Sequence, residues 1–383
     1  MQLFVNKELI YRTLIVFQYF SLSYFDAKIF VPCILLSGTL KFYLVRQTIE
    51  GVKILSWWML FIFFIVVYLL NIQNLNVAVP LGTSLVFAIV LFFLIVPKNM
   101  ECRYFAVIAF SLGIVCLYVP AIIEVVLKNS SILGLYGRLQ ALTGDTSLLT
   151  SHLSIYLGFA AVTLICQPYS LRPTTRLIVM GLGIASLLCA VVLLGKFIIV
   201  AIMLILFFYK KSLFILTLLV FPLLKLYDAG RYMELLSLYE NFLQRWEDLF
   251  TNPAGRLHLW EEGYAVLGNN VSGYKKILGD FGYNSFHNIL LDSWRFGGIF
   301  LAFFVFLFLV LELYKAAHRF QSKDLERKFF ATLTIYLLLA LQIEVYFEAM
   351  YKILFLLPCI FSIRVKLYGN YMNENKGLKY AKN

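Results

Sequence analysis

The chain has 383 residues, of which 61% are hydrophobic and only 14% are charged, and its mean hydropathy is +0.83. Soluble domains carry about 25% charged residues, so this composition excludes a soluble protein and predicts an all-α, polytopic integral membrane protein. The net charge of +12 comes from Lys and Arg clusters between or after apolar segments, which excludes the single basic face of a nucleic-acid-binding protein.

The apolar segments, taken in chain order, predict about twelve transmembrane helices. Their expected ranges are 9–25, 28–45, 53–71, 77–96, 104–127, 151–167, 177–194, 197–209, 212–225, 289–313, 329–344 and 347–364. The residues before the first span show no signal-peptide cleavage pattern, so we expect that span to remain as an anchor.

The basic clusters fix the expected orientation of these spans. When the N-terminus is placed in the cytoplasm and the spans alternate, the basic clusters fall on the cytoplasmic side, as the positive-inside rule requires. The predicted organisation is therefore N-terminal membrane helices over 1–224 with an external loop at 128–150, a large external loop over 225–288, C-terminal membrane helices over 289–364 and a basic cytoplasmic tail over 365–383.

The long apolar run 177–208 is broken only by Gly195-Lys196. Basic residues at both ends of this run favour the cytoplasm, so we interpret it as a hairpin of two helices that turns at Lys196. No internal repeat is visible, and matched broken helices, which are common in transporters, are absent from the sequence.

The large external loop holds most of the polar chemistry. Residues 234–250 are predicted to form an amphipathic helix, lying either on the membrane surface or on a small core of the loop itself. A second helix is expected from near Arg256 through Trp260 to Leu267, followed by a glycine-rich stretch. Asn284 or Ser285 is expected to cap the next membrane helix.

His287 would then lie in the first turn of that helix. The positive end of a helix disfavours imidazolium, so a neutral His287 is a candidate general base. The alternative is a histidine that only forms hydrogen bonds within the loop.

Three cationic side chains, Arg256, Arg138 and Lys196, fall on the same external side and suit phosphate oxygens. The alternatives are ordinary surface charges and, for Lys196, a snorkelling anchor. Asp292 and Arg295 are expected within the tenth span, as an ion pair or as functional charges. Glu344 and Glu348 flank the last external turn. No metal-ligand spacing appears, and no cofactor is expected.

Three short segments and the hydrophobic layout of nearly the whole chain resemble the bacterial O-antigen polymerase and O-antigen ligase family. The segments are residues 255–260 (GRLHLW), residues 287–291 (HNILL) followed by Gly297-Gly298, and residues 137–139 (GRL). They are similar to the arginine–tryptophan, His-Asn and earlier arginine motifs of the family. The chain departs from the family pattern at Lys196, where an arginine is usual, and after Arg138, where the usual Asp-Pro-Asn is absent.

This resemblance implies inverting glycosyl transfer at the periplasmic face of the inner membrane. The donor would be an oligosaccharide on undecaprenyl pyrophosphate, with His287 as base, and Arg256 and Arg138 on the pyrophosphate. Asn288, Lys196 and Trp260 would complete the substrate site. The linkage itself supplies the energy, so neither ATP nor a nucleotide sugar is implied.

The acceptor distinguishes the candidate functions that remain open. A polymerase of O-antigen or capsule joins two lipid-linked repeat units, whereas a ligase transfers the glycan to lipid A–core. A flippase or transporter for the same lipid-linked sugar is the alternative from another class, and a structural or sensory role would leave His287-Asn288 unexplained. Further partners that the resemblance suggests are membrane lipid, a chain-length regulator and a flippase of the pathway.

Overall fold

The computed structural model describes residues 7–25, 27–45, 97, 100–127, 150–168, 172–193, 197–209, 257–271, 288–322, 324–342, 351–354, 356 and 359–360. Within these ranges all regular structure is helical, which confirms the predicted all-α class, and no strand occurs. The predicted spans 53–71, 77–96 and 212–225, the amphipathic helix 234–250 and residues 128–149 lie outside the described residues.

The ten described helices follow the order of the predicted elements. They are α1 (Lys7–Tyr24), α2 (Ala27–Val45), α3 (Met100–Leu127), α4 (Thr150–Ile165), α5 (Pro173–Val192), α6 (Phe197–Tyr209), α7 (Leu257–Gly268), α8 (Ile289–Phe320), α9 (Leu325–Leu341) and α10 (Tyr351–Leu354).

Three apolar stretches among the described residues are long enough to cross a membrane, and the rest of the predicted count of twelve stays a prediction. These stretches are Glu101–Glu124, Pro173–Ala190 and Gly298–Phe320; shorter apolar helices cover Ile29–Lys41, His152–Ile165 and Phe197–Tyr209. Most of the stretch in α3 lies inside the bundle, whereas those in α5 and α8 are mostly exposed, as expected for helices on the periphery.

The described helix ends lie in two groups at opposite ends of the bundle. We call the first group, which contains the starts of α1, α3 and α9 and the ends of α6 and α8, the basic end. Arg12 near the start of α1 forms an ion pair with Glu101 at the start of α3, with 2.8 Å between nitrogen and oxygen. The Lys328 ammonium at the start of α9 donates to the carbonyl of Phe208 at the end of α6, at 2.8 Å. Phe320, the last residue of α8, stacks on Phe207 with ring centroids 4.5 Å apart.

The opposite group, which we call the cap end, contains the start of α8 and the end of α9. Asn288, which precedes α8, donates from Nδ2 to the carbonyl of Gln342 after α9, at 3.4 Å. At the end of α1, the Phe25 carbonyl accepts from the buried Lys352 ammonium of α10 at 2.8 Å. Helix α6 ends at the basic end and α8 begins at the cap end. These directions agree with the prediction that successive spans alternate in direction.

The hairpin predicted at Lys196 agrees with two separate helices of opposite direction. Ser186 of α5 donates to the Leu157 carbonyl of α4 at 2.9 Å, while Gly183 lies against Ile165, so α5 runs antiparallel to α4. Tyr209, at the end of α6, donates to the carbonyl of Ile165 at 2.5 Å, so α6 ends beside the end of α4. Lys196 itself lies outside the described residues.

One large hydrophobic core joins α1 to α6 with α9 and α10, and α8 contributes Phe308 to it. Buried aromatic side chains occupy much of this core. Tyr336 of α9 is fully buried and donates to the Ile155 carbonyl at 2.8 Å. Its ring lies near Phe159 and Phe197, with centroids 6.1 Å and 5.9 Å away. The hydroxyl thus satisfies a backbone acceptor inside an apolar interior, where an unpaired polar group is costly.

Candidate functional site

The start of α8 at the cap end is built around Asn288. This residue is extended, with φ −144° and ψ 121°, and its Oδ1 accepts from the backbone N–H groups of Leu290 and Leu291 at 3.0 Å and 3.2 Å. Asparagine is among the best N-cap residues because its side chain satisfies these otherwise unpaired donors. The expectation that Asn284 or Ser285 caps this helix is therefore wrong.

The position of the cap also corrects the placement of His287. It immediately precedes the N-cap residue, so it lies outside the first turn of α8 that the sequence predicted for it. The side chain and backbone of His287 are outside the described residues. The structure describes its neighbour in the chain, Asn288, as the N-cap residue of α8.

Asp292 reinforces the cap from within the helix. Its carboxylate accepts from the Asn288 backbone N–H at 3.3 Å, and the Asn288 carbonyl accepts from the Asp292 backbone N–H at 2.8 Å. Asp292 is buried, and a negative charge in the first turn interacts favourably with the positive end of the helix. Together with the Asn288–Gln342 hydrogen bond, these contacts fix the backbone that follows His287 against α9.

Helix α8 is interrupted at Gly298, where φ is 74° and ψ is −178°. L-residues with a side chain avoid this conformation, so the glycine is required there. The backbone N–H of Ile299 does not continue the helix and instead donates to the carbonyl of Val271 at 2.9 Å. The segment 289–297 is thereby separated from the long apolar part of α8.

This break corrects the expectation for Asp292 and Arg295. The apolar stretch that can span a membrane begins at Gly298, so both charged residues lie in the short segment ahead of it. Both side chains are buried at the cap end. The ion pair expected between them stays a prediction.

Helix α7 packs on this short segment. The predicted helix from near Arg256 through Trp260 to Leu267 agrees within a residue with the structure. Leu267 and Leu291 are buried in a small cluster, separate from the main core, against which Trp260 and Trp294 pack. Trp260 therefore packs between α7 and α8, while its predicted contact with a substrate stays a prediction.

Trp294 packs in the same cluster and was not among the predicted site residues. Its Nε1 is buried and has no hydrogen-bond partner in the part of the chain that the structure describes. A buried donor left unpaired costs roughly 1–3 kcal/mol, so a polar group arriving from elsewhere would be favoured here. Its place in the cluster depends on the docking of α7, which no local pattern around Trp294 indicates.

The remaining predicted site residues are not placed. Arg256, Arg138, Lys196, Glu344 and Glu348 lie outside the described residues, so their predicted convergence stays a prediction. Among the described residues, no group of His, Cys, Asp and Glu side chains has the arrangement of a metal site.

Comparisons with known proteins add no assignment. No protein-family model matches the chain, and no curated protein matches it.

Proposed function

We propose that the protein is a membrane glycosyltransferase that polymerises O-antigen or capsule repeat units at the periplasmic face of the bacterial inner membrane. Both termini lie in the cytoplasm. Donor and acceptor are oligosaccharides carried on undecaprenyl pyrophosphate. The membrane location is supported by the apolar helices of the bundle, and the described cations Arg12 and Lys328 lie at one end of it.

One observation carries the proposal. Two helices that pack together, α7 and α8, begin one residue after Arg256 and two residues after His287. Arg256 and His287 each adjoin, in sequence, one helix of this packed pair, which supports a single site that contains both a cation and a base. Guanidinium groups suit pyrophosphate oxygens in shape and charge, and histidine suits proton transfer near neutral pH.

The reaction is a single inverting displacement. A hydroxyl oxygen of the acceptor sugar attacks the anomeric carbon of the donor, and His287 removes the hydroxyl proton. The bond from that carbon to the pyrophosphate oxygen breaks, and undecaprenyl pyrophosphate leaves with the electron pair. Arg256 and Arg138 stabilise the charge that develops on the leaving group, with Lys196 as a third cation.

The cap end supplies the scaffold for these groups. The Asn288 side chain is occupied by the cap and by Gln342, so its role in the proposed site is to hold the start of α8 rather than to contact the reacting atoms. Trp260 and Trp294 provide aromatic surface beside it, which suits the apolar faces of sugar rings.

The genetic test distinguishes the acceptors. Deleting the gene should leave surface lipopolysaccharide that carries a single repeat unit. Complete loss of O-antigen with accumulation of long lipid-linked polymer would instead identify a ligase. Accumulation of single lipid-linked units on the cytoplasmic face would identify a flippase.

Point variants test the proposed chemistry. His287→Ala and Arg256→Ala should each reproduce the deletion at normal protein level. The matched controls are His318→Ala at the exposed end of α8 and Arg172→Ala before α5, both of which should retain the full ladder of chain lengths. A full ladder from either site variant would refute the assigned roles.

A further inference from the structure

Helix α7 is attached to the described bundle through a small area. Its principal packing partner among the described helices is α8. Leu267 and Leu291 form the buried centre of this contact, and Trp260 and Trp294 pack around them, apart from the main core. Another side of α7 is exposed at Tyr264. Elements with few buried apolar contacts open locally at low free energy, and α7 has the properties of such an element.

One backbone hydrogen bond among the described residues joins the end of this element to α8, and we call it the latch. The Ile299 N–H donates to the carbonyl of Val271, three residues after the end of α7, at 2.9 Å. The Asn270 N–H donates to the Leu267 carbonyl at 2.9 Å, so a tight turn connects the helix to the latch. Breaking the latch leaves the packing of the small cluster as the main described attachment of α7.

The indole N–H of Trp294 is unfavourably placed in this closed arrangement. Its Nε1 is buried and has no hydrogen-bond partner among the residues that the structure describes. Buried indole N–H groups usually have a partner, and each exception calls for an explanation. Trp294 packs in the cluster that Leu267 of α7 completes, so moving α7 away uncovers the indole. The uncovered donor can then pair with a ligand oxygen, which favours an open arrangement with a polar ligand.

The chemistry of the cluster suits a sugar ring. The apolar face of a sugar packs on an indole ring, and a sugar oxygen accepts from the indole N–H. Trp260 supplies a second indole from the α7 side. The cluster also adjoins the cap of α8, because Leu291 packs in it and donates its backbone N–H to Asn288. A sugar bound there would lie beside the proposed glycosyl-transfer site.

We propose that Trp294 binds a sugar ring of the lipid-linked oligosaccharide through its indole N–H, and that α7 is a lid that opens to admit the ring. This inference rests on the proposed function and adds to it a binding residue and a moving element. A ligand that binds only the open form has an apparent affinity reduced by the small fraction of that form. Removing the donor and removing the latch should therefore change the affinity in opposite directions.

The first test removes the donor from the purified full-length protein in detergent. The probe is the radiolabelled lipid-linked repeat unit extracted from cells that lack the gene. Benzothienylalanine in place of Trp294 keeps the shape of the indole but has sulfur where the N–H was. It should weaken probe binding about two- to tenfold, the range for loss of one hydrogen bond, and should not lower the unfolding midpoint. Tyr336→Phe, which removes a paired donor in the main core, should lower the midpoint and leave the affinity unchanged.

The second test removes the latch. Ile299 directly follows the break at Gly298, so Ile299→Pro deletes the donating N–H at the first position of the long helical part, where proline is tolerated. It should strengthen probe binding by up to about tenfold, whereas Ile299→Ala keeps the N–H and should leave the affinity unchanged. Leu267→Ala loosens the packing of α7, should also strengthen binding, and covers the case in which Ile299→Pro does not fold.

The outcomes separate this inference from the proposed function. Unchanged affinity after loss of the Trp294 N–H would overturn the role of Trp294. Unchanged or weaker binding by the folded latch and packing variants would overturn the lid, since general damage to the fold weakens binding and does not strengthen it. Both results leave the proposed function intact when the unmodified protein binds the probe. No binding by the unmodified protein would overturn the proposed function, and this inference with it.

Discussion

Gly298→Ala tests the break in α8. At φ 74° and ψ −178°, an alanine is strained by about 1–3 kcal/mol relative to glycine. The chain can escape this strain only by changing the backbone at residue 298. That change would sacrifice the hydrogen bond from the Ile299 N–H to the Val271 carbonyl, which contributes about 0.5–1.5 kcal/mol. We therefore expect the free energy of unfolding to fall by about 1–3 kcal/mol.

The measurement is an equilibrium unfolding titration of the purified protein in mixed micelles with a denaturing detergent. Gly181→Ala is the matched control, because Gly181 lies inside α5 and a Cβ added there meets nothing within 4 Å. Alanine is favoured over glycine in a helix interior by up to about 1 kcal/mol, so the control should be neutral or slightly stabilised.

The two glycine variants should thus change stability in opposite directions. If Gly298→Ala is as stable as the unmodified protein, the positive φ at residue 298 and the separation of segment 289–297 are both refuted. A loss confined to Gly298→Ala supports the break. The same variant should also weaken the packing of α7, which increased proteolysis after Val271 would reveal.

Three further predictions concern stability in the same assay. Asn288→Ala should lower the free energy of unfolding by about 1–2 kcal/mol, because the N-cap of α8 is lost. Asn288→Asp keeps the accepting oxygen and should lower it less, so equal losses in the two variants would argue against the cap. Gly158→Ala should lower the free energy of unfolding, because the added Cβ would overlap the Tyr336 hydroxyl oxygen. Adding Tyr336→Phe should recover part of this loss, and strictly additive effects in the double variant would contradict the contact. The side chains of the Arg12–Glu101 ion pair are partly exposed, so a double-mutant cycle should give a coupling energy below about 1 kcal/mol. A larger coupling energy would mean that solvent screens the ion pair less than its exposure implies.

The hydrophobic pattern was sufficient to place the described membrane helices to within a few residues at most ends. Helices α3, α5 and α9 each begin four residues before the predicted start, and the largest difference among the long helices is at α8, which continues to Phe320 instead of residue 313. Near residue 315 the sequence turns polar, and hydropathy alone ends the span there. The helix continues because the Glu312–Lys315 ion pair and basic residues in the last turn are compatible with a helix C-terminus.

The candidate site was predictable only in part. A helix from near Arg256 to Leu267 followed from its apolar spacing, and α7 agrees with that range. The cap at Asn288 was missed because Asn284, Ser285 and Asn288 are all competent N-cap residues, and composition does not choose between them. The choice is made by the Asp292 carboxylate, which holds the Asn288 backbone.

The amino-acid sequence by itself determined the all-helical class and the apolar helices that are long enough to cross a membrane, because apolar runs of that length satisfy their backbone within a bilayer only as helices. The distribution of Lys and Arg predicted an alternation of the spans, and the directions of the described helices agree with it. Only the tertiary structure decided that α8 breaks at Gly298, since a glycine pair tolerates both helical and extended backbone. The hydrogen bond to the carbonyl of Val271, which follows α7 in the chain, selects between them.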